Sequence, residues 1–323
     1  MTADITIIIP SRDRLWALPK AVESCRSRTL NVQIIVIDDA SVDGTREWLA
    51  SQRDITVVDG EGWGKPWGVN KALALATGTY LRYLDADDWL NPGANENQYE
   101  VAQAERADLV VAGMDIYFDD AFSETNPWLP TDDFVAQQLG ETPGSHYSAF
   151  LFRTNFVRDI PHRTLFPSSN FASRDDRCFM LEVAIRKPRI SSSPGSTLCH
   201  RHHARSRLQF HSGMGGAGTN IQHLYIYRQI LRLLEQKGEL TERRKRAAVK
   251  VLWPLAHWIA YTDRSEARKV AKWIYELDPL LRPPQPGALG LLYRHFGFST
   301  TETLLRVRRL AIQSFRALRM RSS

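Results

Sequence analysis

The chain has 323 residues, 43% hydrophobic and 24% charged, with 42 Lys and Arg against 36 Asp and Glu for a net charge of +6. This globular composition excludes a disordered or fibrous protein, and the length suits two domains or one domain with an appendage. The +6 conceals a split, because residues 201–323 carry 23 basic and 8 acidic residues, a net +15, whereas residues 1–200 carry 19 and 28, a net −9.

Strand and helix patterns alternate through the first half. Residues 5–9, Ile-Thr-Ile-Ile-Ile, form a β-branched run ended by Pro10, the pattern of a buried strand. A helical pattern follows over 15–28, then a second strand over 32–37 closed by Asp38-Asp39. Ser41 to Thr45 is turn and N-cap chemistry opening a helix that runs to Ser51. A third strand, 55–58, leads into the glycine-rich loop Gly60–Gly64, which carries Trp63. A helix over 67–76 stops at Gly78, and a strand over 80–84 runs into Asp85-Ala86-Asp87-Asp88. Residues 109–112 read as a fifth strand, 114–146 as a variable loop region without periodicity, and 149–153 as a further strand. Asp175-Asp176 opens a helix that extends to Arg186. This alternation predicts an α/β fold, a mostly parallel sheet with helices on both faces and ligands beyond the carboxyl ends of its strands.

Two of those strand ends are acidic. The turn after the first strand, Pro10-Ser11-Arg12-Asp13-Arg14, contains no glycine, and the Gly60, Gly62, Gly64 series has the wrong place and spacing for a dinucleotide fingerprint. No Walker motif occurs, so hydride transfer and P-loop chemistry are disfavoured. Asp-x-Asp at a strand end suits a hard divalent cation that bridges to diphosphate oxygens. An isolated triplet is more often a solvated turn.

The stretches IIIPSRDR, IIVIDDASVDGT, NKALALATGTY and LRYLDADDW, within residues 5–90, together resemble the nucleotide-sugar half of family 2 glycosyltransferases of the GT-A fold. The resemblance implies a GT-A-type, Rossmann-like catalytic domain over 1–218. It also implies a Mn²⁺ or Mg²⁺ cofactor and inverting transfer from a nucleotide-diphosphate sugar, with a UDP-sugar favoured. The acceptor it implies is a carbohydrate or lipid-linked sugar in surface polysaccharide or glycoconjugate synthesis. On the same basis Pro10 and Arg12 line the nucleotide pocket, and Asp39 accepts a hydrogen bond from the base imide. Asp85 faces the ribose or sugar, and Asp87 holds the metal. Many members carry Ala-Arg-Asn where this chain has Gly68-Val69-Asn70. Asn70 is thereby assigned to the nucleotide-sugar site, and Lys65 is assigned the charge of the missing arginine.

Asp175-Asp176 matches the family's acidic pair, usually Glu-Asp, which supplies the general base, with Asp176 ahead of Asp175. An attacking hydroxyl must lose its proton, and a carboxylate in reach can take it; acids in a first helical turn also simply stabilise the helix. Cys199 to Ser206 resembles the family's Tyr-Arg-x-His-x-x-Ser segment, with His200 in the tyrosine's place. That likeness brings His203 to the metal or diphosphate, sets Arg201 and Arg205 against phosphate charge, and closes Ser206 and the loop Gly213–Gly218 over the donor. The irregular histidine spacing disfavours structural zinc. The rival reading is a nucleotide-sugar-binding scaffold that has lost turnover, to which the missing arginine and the Asp-for-Glu change lend weight.

From 219 to the end the pattern is helical and basic, with helices over 221–236, 241–261 and 265–276 and a proline-punctuated linker after them. A last helix over 300–319 sets Leu304, Val307, Ala311, Phe315 and Leu318 on one face, with arginines largely elsewhere. Such a helix suits an anionic membrane surface, self-association or docking on its own catalytic domain, about equally. Nucleic acid is disfavoured, since no recognition fold accompanies the basic residues. Three scattered cysteines, no secretory signal and no long apolar run predict a cytoplasmic protein, peripheral on the inner membrane face if the tail binds lipid.

Overall fold

The computed structural model describes residues 2–143, 146–163, 174–205 and 216–321, with side chains as far as Arg308. It divides into two units, Met1–Gln138 with Thr142–Leu208, and Leu139–Glu141 with Gln209–Ser323.

The first unit is built on β1 (Ile5–Ser11), in which every residue but Pro10 is buried. A strand covered on both faces must be apolar throughout, which is why its run is continuous rather than alternating. After α1 (Leu18–Cys25), β2 (Val32–Asp38) pairs in parallel with β1. Next come α2 (Thr45–Ser51) and β3 (Ile55–Asp59), which is parallel to β2. The helix α3 (Lys65–Ala74) begins two residues before the predicted Trp67, because Pro66 occupies its first turn, where a missing N–H costs nothing. It leads to β4 (Tyr80–Tyr83), parallel to β1 on the other side. In this register Ser11 lies beside Asp38 and Asp38 beside Asp59. Leu84 N–H still bonds Ile8 carbonyl, so the chain leaves the sheet at Asp85.

Beyond β5 (Trp89–Leu90) and α4 (Ala94–Ala104) the structure departs from expectation. β6 runs over Leu109–Phe118, well past Ala112, and pairs antiparallel with β7 (Ala121–Asn126) inside the stretch read as loop. β7 is almost wholly exposed, so it lacks the apolar face that a periodicity argument needs. After α5 (Phe134–Leu139), a 3₁₀ turn at Tyr147–Ala149 leaves β8 only Leu151–Arg153, followed by α6 (Thr154–Val157). α7 (Asp175–Ile185) and β9 (Ile190–His202) complete the unit. The strand order is β3–β2–β1–β4–β8–β6–β9–β5, with β7 on β6. The sheet is parallel across β3–β2–β1–β4 and between β6 and β9; β8, β5 and β7 pair antiparallel.

The fully buried Arg82 of β4 ties this core together through neutral partners, the side-chain oxygens of Asn95 and Gln98 and the Ser148 carbonyl. Burial without a matching carboxylate lowers its pKa to about 10.

The second unit contains α8 (Ala217–Gln236), α9 (Glu242–Ile259), α10 (Arg264–Leu277) and a helical stretch α11 (Gly287–Arg321) broken at Gly297, whose φ of 71° only glycine adopts readily. Thr241 and Asp263 cap α9 and α10 by accepting the N–H of Arg244 and Glu266. The fully buried Trp253 and Tyr293 anchor its core. The last helix therefore starts before Thr300, and Thr301 and Glu302 are buried within the unit. The side chains of Ala311, Phe315 and Leu318, on which the predicted apolar face depended, lie outside the described residues. No helix among the described residues is long and apolar enough to cross a membrane. All three cysteines are free and buried.

Candidate active site

Beyond the ends of β1, β2 and β4 three carboxylates each meet a cation or imidazole. Asp85 Oδ1 lies 2.9 Å from Lys65 Nζ, and its Oδ2 is 3.6 Å from His146 Nε2. Asp87 Oδ2 accepts from Arg14 Nε at 3.4 Å and lies 3.0 Å from His203 Nε2. Asp88, almost fully buried, accepts the Arg201 N–H at 2.8 Å and meets His200 Nδ1 at 3.0 Å. Burial alone would push Asp85 up, but the Lys65 charge and His146 outweigh it and hold the carboxyl at about 2. His200 is raised because contact with Asp88 outweighs the opposing effect of burial.

The sequence signal for Lys65 was weak. α3 puts the buried Val69 one turn after Lys65, so an apolar residue fills the core position while Lys65 carries the charge to Asp85. Arg12, which the resemblance sets in the pocket, is exposed, and its guanidinium bonds nothing among the described residues. Asp13 is the reason. Its φ of 52° turns the chain between the two arginines and delivers Arg14 to Asp87. Pro10 is half-buried in β1.

Asp39 is buried, and its Oδ1 accepts the Gly64 N–H at 3.2 Å. A Cβ on Gly60 would fall 2.8 Å from the Asp39 Cα, so the loop packs tightly onto Asp39, with Trp63 and Trp67 rings 5.6 Å apart. Asp38 is spent locally, on the Ser41 N–H and on Arg46.

At the mouth of α7, Asp175 is buried and bonds His162 Nδ1 at 2.8 Å, whereas the half-buried Asp176 accepts the Arg177 N–H. Asn70 holds this arrangement from behind. Its amide donates to the His162 carbonyl at 2.6 Å and its oxygen accepts the His162 N–H at 2.8 Å, so both its polar atoms fix backbone. Arg201 is also occupied: its Nη2 donates to Asp120 and its guanidinium lies over Trp89 and Trp16. Arg205 also lies over the Trp16 ring, at 4.4 Å, and His203 meets that ring edge-on at 4.9 Å. Ser206 and residues 213–215 of the predicted closing loop lie outside the described residues.

Arg14, Trp16, His146, Tyr147 and His162 were missed. Arg14 sits in a turn with no periodicity, Trp16 at the start of the helical pattern, and the others in stretches whose only signal is their residue type. For a divalent cation, Asp85, Asp88 and His146 offer ligand atoms within 4.8 Å of one another. That oxygen and imidazole donor set fits Mn²⁺ or Mg²⁺, and Asp87 with His203 forms a second, adjacent pair.

Residues 6–165 match the family model described as glycosyl transferase family 2. EpsH of Bacillus subtilis, named as a glycosyltransferase, is 29% identical over 156 residues, 47% of this chain and 43% of that protein. WfaP of Escherichia coli, a UDP-Glc:alpha-D-GlcNAc-diphosphoundecaprenol beta-1,3-glucosyltransferase, is 26% identical over 157 residues, 47% of this chain and 57% of that protein. The chain thus spans about half the length of these curated relatives. Among solved structures, Staphylococcus aureus TarS 1-349 in complex with UDP superposes with a TM-score of 0.57 at 14% identity, covering 94% of this chain and 91% of that one. This likeness shows the fold, an α/β sheet of GT-A type.

Proposed function

We propose that this chain, which belongs through residues 6–165 to glycosyl transferase family 2, transfers a sugar from a nucleotide-diphosphate sugar to an acceptor hydroxyl with inversion. The observation that carries this reading is the cluster after β4, where Asp85, Asp87 and Asp88 meet Lys65, Arg14, His146, His200 and His203 beyond the strand ends of a family 2 domain. A UDP-sugar is the donor class, an assignment supported by the UDP in the TarS complex and the UDP-Glc in the name of WfaP.

Asp39 accepts the hydrogen bond of the base imide. Arg14, Lys65 and Arg205 offset phosphate charge, and Arg201 acts as packing between two tryptophans. Mn²⁺ or Mg²⁺ is held by residues among Asp85, Asp87, Asp88, His146 and His203, and when bound it neutralises charge on the departing diphosphate. Asp176 takes the acceptor proton, being half-buried where Asp175 is committed to His162. The acceptor is a carbohydrate or lipid-linked sugar of surface polysaccharide synthesis. The basic second unit serves as a docking region for an anionic membrane or a second copy, and the protein is cytoplasmic, peripheral on the inner membrane face if that region binds lipid.

Replacing Asp176 with Asn tests the core of this reading. Transfer should fall by about 10²- to 10⁴-fold while the donor dissociation constant stays put. Unchanged transfer removes Asp176 as base, and turnover that persists in excess EDTA removes the metal. The docking role is checked by flotation on anionic liposomes after removal of residues 309–323, a cut that spares the buried Thr301 and Glu302. Full retention of binding would rule that segment out as the anchor.

A further inference from the structure

Buried polar atoms almost always find partners, so a group of orphans in a packed core marks a place that something else completes. Next to the Lys65–Asp85 pair, three orphans fall on neighbouring rings. Among the described residues the Tyr147 hydroxyl, the Tyr83 hydroxyl and His162 Nε2 have no hydrogen-bond partner, although these residues are only 4%, 0% and 1% exposed. The Tyr83 ring stacks on Tyr147 with centroids 5.7 Å apart and meets the His162 ring at 4.6 Å. Lys65 Nζ, bonded to Asp85, lies 5.2 Å from the Tyr147 ring centre, and His162 Nδ1 bonds Asp175. The group therefore adjoins both the carboxylate assigned to the sugar and the one beside the proposed base.

Its chemistry is mixed in a specific way. Each phenol has a hydrogen to give as well as lone pairs to offer. His162 holds the Asp175 carboxylate through Nδ1, and its Nε2 is left without a partner among the described residues. Aromatic faces carrying a few convergent donors and acceptors are what a polyhydroxyl ligand requires. Leaving such groups unpaired costs the unliganded fold stability, a cost expected where a wall is shaped for a ligand.

We propose that Tyr147, with Tyr83 and His162, forms the hydrogen-bonding wall that meets the hydroxyls of the transferred sugar and selects which sugar is accepted. The proposal rests on the nucleotide-sugar reading above and deepens it.

The test uses the full chain and its Tyr147→Phe and Tyr83→Phe variants, with thermal denaturation and calorimetric titration of UDP, UDP-glucose, UDP-N-acetylglucosamine and UDP-galactose. Without ligand, Tm should stay the same or rise, because each change deletes only an unpaired hydroxyl. UDP affinity should not move. Affinity for the UDP-sugar that wild type binds best should weaken roughly 2- to 12-fold, the value of one neutral hydrogen bond. A lower unliganded Tm in both variants would mean that the hydroxyls have a structural partner and overturns the proposal. Equal losses for UDP and UDP-sugar, or no loss for the UDP-sugar, do so too. Failure of the nucleotide-sugar reading is a separate result, visible as wild-type protein that binds none of the four probes.

Discussion

Each unit buries a cluster of polar side chains around histidine, but the two clusters are finished differently. In the helical unit, His257 Nδ1 meets Glu302 at 2.5 Å and Tyr293 at 3.1 Å, Tyr293 donates to Glu302 at 2.6 Å, and Gln285 bridges His257 and Trp253. There both histidine nitrogens, the phenol and the indole N–H all have partners. In the sheet unit, carboxylates crowd beyond the strand ends, His203 Nδ1 is orphaned among the described residues along with Tyr83, Tyr147 and His162, and Asp85 and Asp87 stay partly exposed. A closed network holds helices together. An open one is completed by what it binds, and it sacrifices stability to do so.

The contrast is broken or sharpened by separating turnover from stability. The largest effect expected is for Asp87→Ala, which should reduce transfer by about 10³-fold or more at nearly unchanged Tm. In the closed network Glu302→Ala should do the reverse, costing about 3 kcal/mol of stability in denaturant titrations while kcat per folded molecule stays the same. A Glu302 variant that lost turnover but kept its stability would sink the distinction. Arg82→Met tests whether the sheet unit also contains a closed network. It strips a donor from Asn95, Gln98 and Ser148, and should cost roughly 2–3 kcal/mol with no selective effect on donor affinity.

Asn70→Ala lies between the two kinds. Loss of both bonds to the His162 backbone should cost about 1–2 kcal/mol and lower kcat through misplacement of Asp175, which steady-state kinetics and melting curves would report together. The smallest effect concerns pH. The folded-state pKa of His200 is raised above its ordinary 6.5, so the pair with Asp88 contributes fully below about pH 6.5 and is lost as pH climbs through the raised value. The Tm of wild type should therefore decline over that alkaline window more than that of His200→Gln, and parallel profiles would remove the pair from the account. Asp85 behaves oppositely: held at about 2, it contributes above its ordinary pKa and is lost only in strong acid.

The sequence by itself determined the strands β1, β2 and β4 and the acids at the ends of β2 and β4. A strand buried on both faces has to be an apolar run, and the run has to stop where a polar ligand site begins. It also exposed the family likeness over 5–90 and the acidic pair opening α7, because those motifs are contiguous in the chain. Tertiary structure alone decided which groups face one another. Arg14 rather than Arg12 reaches Asp87 because one left-handed residue lies between them, and no periodicity announces such a turn. His146 reaches Asp85 across 61 positions and Asn70 clamps His162 across 92, pairings that depend on how β8 and α3 return to the sheet. Hydrophobic patterning specifies which residues are inside, because burial depends on each residue's own transfer energy. Hydrogen bonding and charge act only over a few ångströms, so the completed and uncompleted polar clusters become visible only once the chain has folded.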